Sequence, residues 1–192
     1  ALTSGIFYPA LVMNSVLGGG YSSRLNQEIR IKRGLSYGAG SSFNWRWAQT
    51  NFGTRTQTKN ESAGEVAELV LAEIRKMTSE NVSQAELAPR KLVLTGDFGR
   101  ELETTGGLAE VLTSLYTFDL PPAELNTHIQ KTNAVTDAQI KTFAGEYLKG
   151  GDLIIVGDYA VFKDDLAKRF PNMQIEVVKA DDLDLSKENL RK

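Results

Sequence analysis

Arg30 and Tyr37 stand seven residues apart in the run Leu17-Gly-Gly-Gly-Tyr-Ser-Ser-Arg-Leu-Asn-Gln-Glu-Ile-Arg30-Ile-Lys-Arg-Gly-Leu-Ser-Tyr37. One is a permanent cation with a planar fork of donors, and the other is a neutral hydroxyl donor. Together they suit holding a carbonyl oxygen as it turns into an oxyanion. Neither can hydrolyse anything alone. Both residues also have plainer readings: the helix dipole favours an arginine in a last helical turn, and a tyrosine on the apolar face of a strand can be a core residue with a satisfied hydroxyl.

The flanking elements follow from local rules. Pro9 to Leu17 is apolar with a proline at its front, and Gly18 to Gly20 end it, the pattern of a helix with proline in its first turn and glycine past its end. Ser22 or Ser23 then caps a second helix, in which Leu25 and Ile29 face the core and Arg24 and Glu28 form an exposed i,i+4 pair. Gly34 stops it after the basic cluster Arg30, Lys32 and Arg33. From Ser36 to Ala48 the period becomes alternating, with Tyr37, Ala39, Phe43, Trp45 and Trp47 on one side, which predicts a half-buried strand. A turn near Gln49 to Asn51 leads to a second strand, Phe52 to Thr58. Arg30 thus falls in the last turn of a helix and Tyr37 at the start of the next strand.

Beyond this hairpin the pattern is mainly helical. A helix after Asn60 carries Val66, Leu69, Val70, Ile74 and Met77 at the 3.6 period. Ser83 and Glu86 form a capping box for the next, where Pro89 predicts a kink or a late start. Leu108, Val111, Leu112, Leu115 and Phe118 make another helix, ended by Leu120-Pro-Pro122, and helices near Ala123 to Lys131 and Asp137 to Leu148 follow, the latter capped by Thr136. The apolar run Leu153 to Val156 reads as a buried strand, Phe162 to Lys168 as a short helix and Gln174 to Val178 as a last strand. The charged tail from Asp181 reads as mobile. No repeat or low-complexity linker divides the chain, so residues 1–192 read as one α+β domain.

Composition excludes several kinds of chemistry. The 22 basic and 24 acidic residues give a net charge of -2, so no global field attracts nucleic acid or an anionic membrane. No apolar run reaches the ~18 residues of a membrane span. The chain begins with alanine and without a leader pattern, as a processed or excised piece would. Cysteine is absent, which removes disulfides, thiol nucleophiles and thiolate metal sites and leaves the compartment open. There is one histidine, His128. A catalytic zinc site or a serine triad would have to be built on it, and neither H-E-x-x-H, H-x-x-E-H nor G-x-S-x-G occurs. His128 therefore reads as a partly exposed helix residue. Gly18 to Gly20 before a serine-capped helix invites a phosphate-loop reading, but no strand precedes the glycines and no G-K-[ST] follows.

The elements Leu-Gly-Gly-Gly, Ser-Ser-Arg-Leu, Glu-Ile-Arg and Arg-Gly-Leu-Ser-Tyr within Leu17 to Ser42 closely resemble the second half of the pitrilysin or insulinase family of zinc metallopeptidases, which includes the mitochondrial processing peptidase and its bacterial relatives. Looser matches continue in family order through Gln57-Thr58-Lys59-Asn60, the Glu86-Leu87 and Arg90-Lys91 helix, Leu102 to Leu108, Val135-Thr136 and Ile155-Val156-Gly157-Asp158. The resemblance implies a processing-peptidase-like unit of the LuxS/metallohydrolase type, a mainly antiparallel sheet against several helices, lacking its N-terminal strand or strands. It also implies that this chain holds no cofactor and that zinc sits in a homologous partner subunit or domain bearing H-x-x-E-H. Tyr37 would then bind the scissile carbonyl or its oxyanion, and Arg30 would hold the peptide substrate and position the tyrosine.

The expected function is the non-zinc half of a metalloendopeptidase, inactive alone, completing the substrate chamber of a heterodimer or a two-domain chain. The alternative is a catalytically silent core subunit of the same fold, like those of the respiratory cytochrome complex. Neither nucleic acid nor a membrane span enters either picture, and in isolation the chain could form a homo-oligomer. Resembling bacterial members point to the periplasm, with the cytoplasm as the alternative. Pro89 interrupts a helix that the family keeps continuous.

Overall fold

A computed structural model describes residues 5–46 and 50–189; Trp47 and Ala48, assigned above to a strand, lie outside them. Helix α1 (Phe7–Leu17) is the centre of the molecule. Its sequence, FYPALVMNSVL, has almost no polar face, as a helix buried on all sides requires. Val12, Met13, Val16 and Leu17 are fully buried, and around them pack α3 (Ala63–Ser79), α4 (Gln84–Leu102), α6 (His128–Ala134), α7 (Asp137–Tyr147) and strand β1 (Ala39–Asn44). Leu25 and Ile29, fully buried, join this core from the short helix α2 (Arg24–Asn26) and the turn after it.

Strand β1 pairs antiparallel with β2 (Asn51–Thr56), Ala39 opposite Thr56 and Asn44 opposite Asn51. Phe43 lies across from Phe52, 4.8 Å between ring centroids, and stacks on Trp45 at 4.9 Å, so cross-strand aromatic contact fixes the inner face. Helix α5 (Thr105–Thr117) runs back along α4, and α8 (Tyr159–Arg169) packs on α3 through a second apolar cluster of Ala63, Phe162 and Leu166. The architecture is mixed, chiefly helical with a small antiparallel sheet.

Several local expectations need correction. Leu153 to Val156 forms no strand: Ile154 and Val156 are 82% and 93% exposed, while Ile155 packs on the second cluster. Gln174 to Val178 likewise forms no strand, with Val177 and Val178 exposed. Both are apolar enough for a strand, but among the described residues neither has a neighbouring strand to take its backbone hydrogen bonds. Pro89 neither delays nor ends α4, which starts at Gln84 and runs to Leu102. Ser83 caps it through the Glu86 amide (3.3 Å), but the Glu86 carboxylate does not fold back. It grips Arg24 in a two-pronged ion pair of 2.8 and 2.7 Å, so the expected Arg24–Glu28 pair is replaced by one spanning 62 residues. At α7 the reciprocal box is complete, with the Gln139 amide donating to Thr136 Oγ1 and the Thr136 amide donating to Gln139 Oε1.

His128 opens α6 and stacks on Phe98 at 4.0 Å, with the Tyr8 ring 5.4 Å away. Burial pushes the imidazole pKa below its ordinary 6.5, against the pull of Glu124. A base held neutral in the fold but free to charge when unfolded weakens the protein as pH falls below about 6.5. Between pH 7.5 and 5.5, above the range of the carboxylates, the wild type should lose stability in urea titrations, and His128→Phe should flatten that loss.

Candidate functional site

The glycine run does more than separate two helices. The Gly18 carbonyl accepts the Ser41 amide at 3.0 Å, and a Cβ on Gly18 would lie 2.3 Å from that nitrogen. Glycine is needed here because the end of α1 is pressed onto the backbone of β1. Two side chains anchor the loop that follows. Arg90, buried on α4, donates to Ser22 Oγ at 2.8 Å and to the Ser22 carbonyl; Asn26, also buried, donates to the Tyr21 carbonyl. Ser23 precedes α2 as expected, yet its buried hydroxyl caps nothing and has no partner among the described residues.

From Gln27 to Ile31 the helix widens into a π turn, closed by the Lys32 amide donating to the Gln27 carbonyl at 2.9 Å. Such single turns recur at functional sites. Arg30 lies in it. Every neighbouring cation is spent on a carboxylate: Arg24 on Glu86, and Lys32 and Arg33 on Glu28, whose carboxyl they hold below its usual range, Lys32 most strongly. Arg30 has no carboxylate or hydrogen-bond acceptor among the described residues. Its one recorded contact is the face of the Tyr21 ring, 5.0 Å from guanidinium carbon to centroid.

The chain reverses at Gly34, whose φ of +63° is the left-handed region that favours glycine. The Gly34 amide returns to the Arg30 carbonyl (3.0 Å) and the Leu35 amide to the Ile29 carbonyl (2.9 Å), so the reversal is fastened to the π turn. Ser36 then makes a tight side-chain turn, its hydroxyl donating to the Gly38 carbonyl at 2.8 Å and accepting the Gly38 amide at 3.1 Å. From β2 and just beyond it, Thr56 Oγ1 lies 3.0 Å from both Ser36 Oγ and the Gly38 carbonyl, and Thr58 Oγ1 donates to the Leu35 carbonyl at 2.6 Å. Tyr37 is the apex of this pinned turn. It is 97% exposed, and its hydroxyl has no partner among the described residues.

Tyr37 is therefore no core tyrosine, and β1 begins only at Ala39. Arg30 and Tyr37 sit at two ends of one fastened reversal, and no hydrogen bond or ring contact joins them. What they share is donors left unspent on a backbone held in place from several sides. Sequence reading missed the roles of Tyr21, Asn26, Thr56 and Thr58; the visible signals were the aromatic residue directly after the glycines and the place of Thr58 in the matched run Gln57-Thr58-Lys59-Asn60. Among the described residues no group of three or more histidine, cysteine or acidic side chains could hold a metal, and no helix is long and apolar enough to cross a membrane.

Comparisons with known proteins agree with the likeness carried by the motifs. Residues 6–93, just under half of the chain, match the family model of the peptidase M16 inactive domain. Among solved structures, a peptidase M16 inactive domain from Pseudomonas fluorescens is 26% identical over 74% of this chain and 34% of its own, with a TM-score of 0.68. A protease from Helicobacter pylori is 21% identical over 78% of this chain and 36% of its own, with a TM-score of 0.70. A chain of complex III2 from Candida albicans is 14% identical over 76% of this chain and 37% of its own, with a TM-score of 0.65. The last two show a shared fold. This chain spans about a third of the length of each of these relatives. No curated protein matches it.

Proposed function

We propose that this chain is the non-zinc half of an M16 metalloendopeptidase, which supplies Tyr37 and Arg30 to the scissile region of a peptide held against a homologous zinc-bearing subunit or domain. The observation that carries this reading is the pair of unspent donors, an exposed Tyr37 hydroxyl and an Arg30 guanidinium without a counter-ion among the described residues, on a segment matching the M16 inactive domain. The residues of this chain do not fit a zinc site of their own, since the sole histidine stacks on Phe98 with Tyr8 edge-on to it and belongs to no cluster of ligands among the described residues. Zinc in the partner would supply the attacking nucleophile. On the opposite side, the Tyr37 hydroxyl donates to the carbonyl oxygen as negative charge develops there, and Arg30 presents in-plane N–H donors to the neighbouring carbonyls of the substrate.

Donors of this kind work only if they do not reorganise during the reaction. The fastening of Leu35, Ser36 and Gly38 supplies that rigidity, because Tyr37 rotates its side chain on a backbone that stays put. The test is reconstitution. Mixed with the zinc-bearing half, this chain should restore cleavage of a quenched fluorescent peptide, and a chelator should abolish it; alone, each half should be silent. A silent core subunit of the same fold would bind the partner and leave cleavage at background.

A further inference from the structure

Arg30 poses a positioning problem that its neighbours do not. An arginine tied to a carboxylate is well placed but has used its donors, while an untied one is free to bind but scattered over its rotamers. Tyr21 resolves the conflict. Its ring lies under the guanidinium, 5.0 Å from guanidinium carbon to centroid, and an aromatic face attracts the cation without a carboxylate or carbonyl taking up its N–H donors. Tyr21 is itself 64% exposed, so burial in the core does not explain the side chain. Its backbone is nevertheless fixed. Asn26, 4% exposed, donates to the Tyr21 carbonyl and accepts the Ala39 amide at 3.4 Å, and Arg90 clamps Ser22, the next residue. Asn26 thereby ties the loop of Tyr21 to the strand that follows Tyr37.

We infer that Tyr21 is the positioning residue for Arg30: its ring is a seat that orients the guanidinium toward substrate without consuming a donor. This rests on the function proposed above, and two measurements separate the failure of one from the failure of the other. The first uses the isolated protein. In NMR spectra the side-chain δ-proton and Nε–H resonances of Arg30, assigned with Arg30→Lys, should show ring-current displacement in the wild type and in Tyr21→Phe, and lose it in Tyr21→Leu. Unchanged resonances in Tyr21→Leu would overturn the seat directly.

The second uses the complex with the zinc-bearing half and the quenched peptide. Tyr21→Phe should cleave within about twofold of wild type, and Tyr21→Leu should lose about three- to thirtyfold in kcat/KM. In an Arg30→Ala background, Tyr21→Leu should cost nothing further, which a merely structural residue would not reproduce. An equal loss in that background, or an equal loss in Tyr21→Phe, overturns the inference while leaving the function standing. If Arg30→Ala alone leaves cleavage unchanged, the role of Arg30 and that of Tyr21 fall together, and the resonances still report whether the ring holds the guanidinium.

Discussion

Tyr37→Phe should lower kcat/KM of the reconstituted complex by about a hundredfold or more, with most of the loss in kcat. The change removes one oxygen from a side chain that is 97% exposed and whose hydroxyl meets no partner among the described residues, so the protein itself should be unaffected, within about 0.5 kcal/mol. A donor that meets its acceptor only as charge develops stabilises the transition state more than the bound substrate, and about 2.7 to 4 kcal/mol is the usual worth of one such donor. Steady-state kinetics with matched thermal melts read both halves of this expectation. A loss confined to KM would make Tyr37 a substrate-binding residue only, and no loss would remove it from the chemistry.

Gly18→Ala should damage the fold strongly for so small a change, costing about 2 to 4 kcal/mol. The added methyl would sit 2.3 Å from the Ser41 amide nitrogen, 2.5 Å from its hydroxyl and 2.8 Å from the Gly40 carbonyl carbon. Most of that is backbone and cannot turn aside. Relief requires β1 to move off the end of α1 and break the bond from the Ser41 amide to the Gly18 carbonyl. At about 2 to 4 °C per kcal/mol for a chain of this size, the melting temperature should fall by about 5 to 15 °C. Gly20→Ala is the internal control, since a methyl there meets nothing within 4 Å and should change stability by less than about 1 kcal/mol. Equal melts for the two variants would mean that the contact between α1 and β1 is not tight. Because β1 continues directly from the turn of Tyr37, Gly18→Ala should also depress cleavage, and Gly20→Ala should not.

How far these features could be read from the sequence depends on the range of the interaction behind each. The succession from α1 through the glycines, the short second helix, Gly34 and the hairpin was legible, because each boundary is set by residues a few positions away, and so was the Thr136 cap of α7. The exposure of Tyr37 was not. The alternation that places Ala39, Ser41 and Phe43 inward was carried two residues too far back, where the Ser36 hydroxyl takes the Gly38 amide and replaces extended backbone with a turn. The partner of Arg24 was equally hidden: Glu28 is the right distance along the chain, but Glu86 arrives through tertiary packing and is met by both prongs of the guanidinium. Leu153 to Val156 shows the same limit, since composition can favour extended backbone but cannot provide the neighbour that makes it a strand.

The π turn sets the direction of everything that follows it. A widened turn amounts to one residue let into an ordinary helix, and every residue after the insertion is rotated by about 100° relative to where regular winding would have left it. Deleting one residue between Gln27 and Ile31 would restore the regular spiral and its better hydrogen bonds, yet swing Arg30 off the Tyr21 ring and carry the reversal at Gly34 around with it. The irregular winding thus works as a pointer, with a little local regularity exchanged for the direction in which one cation faces.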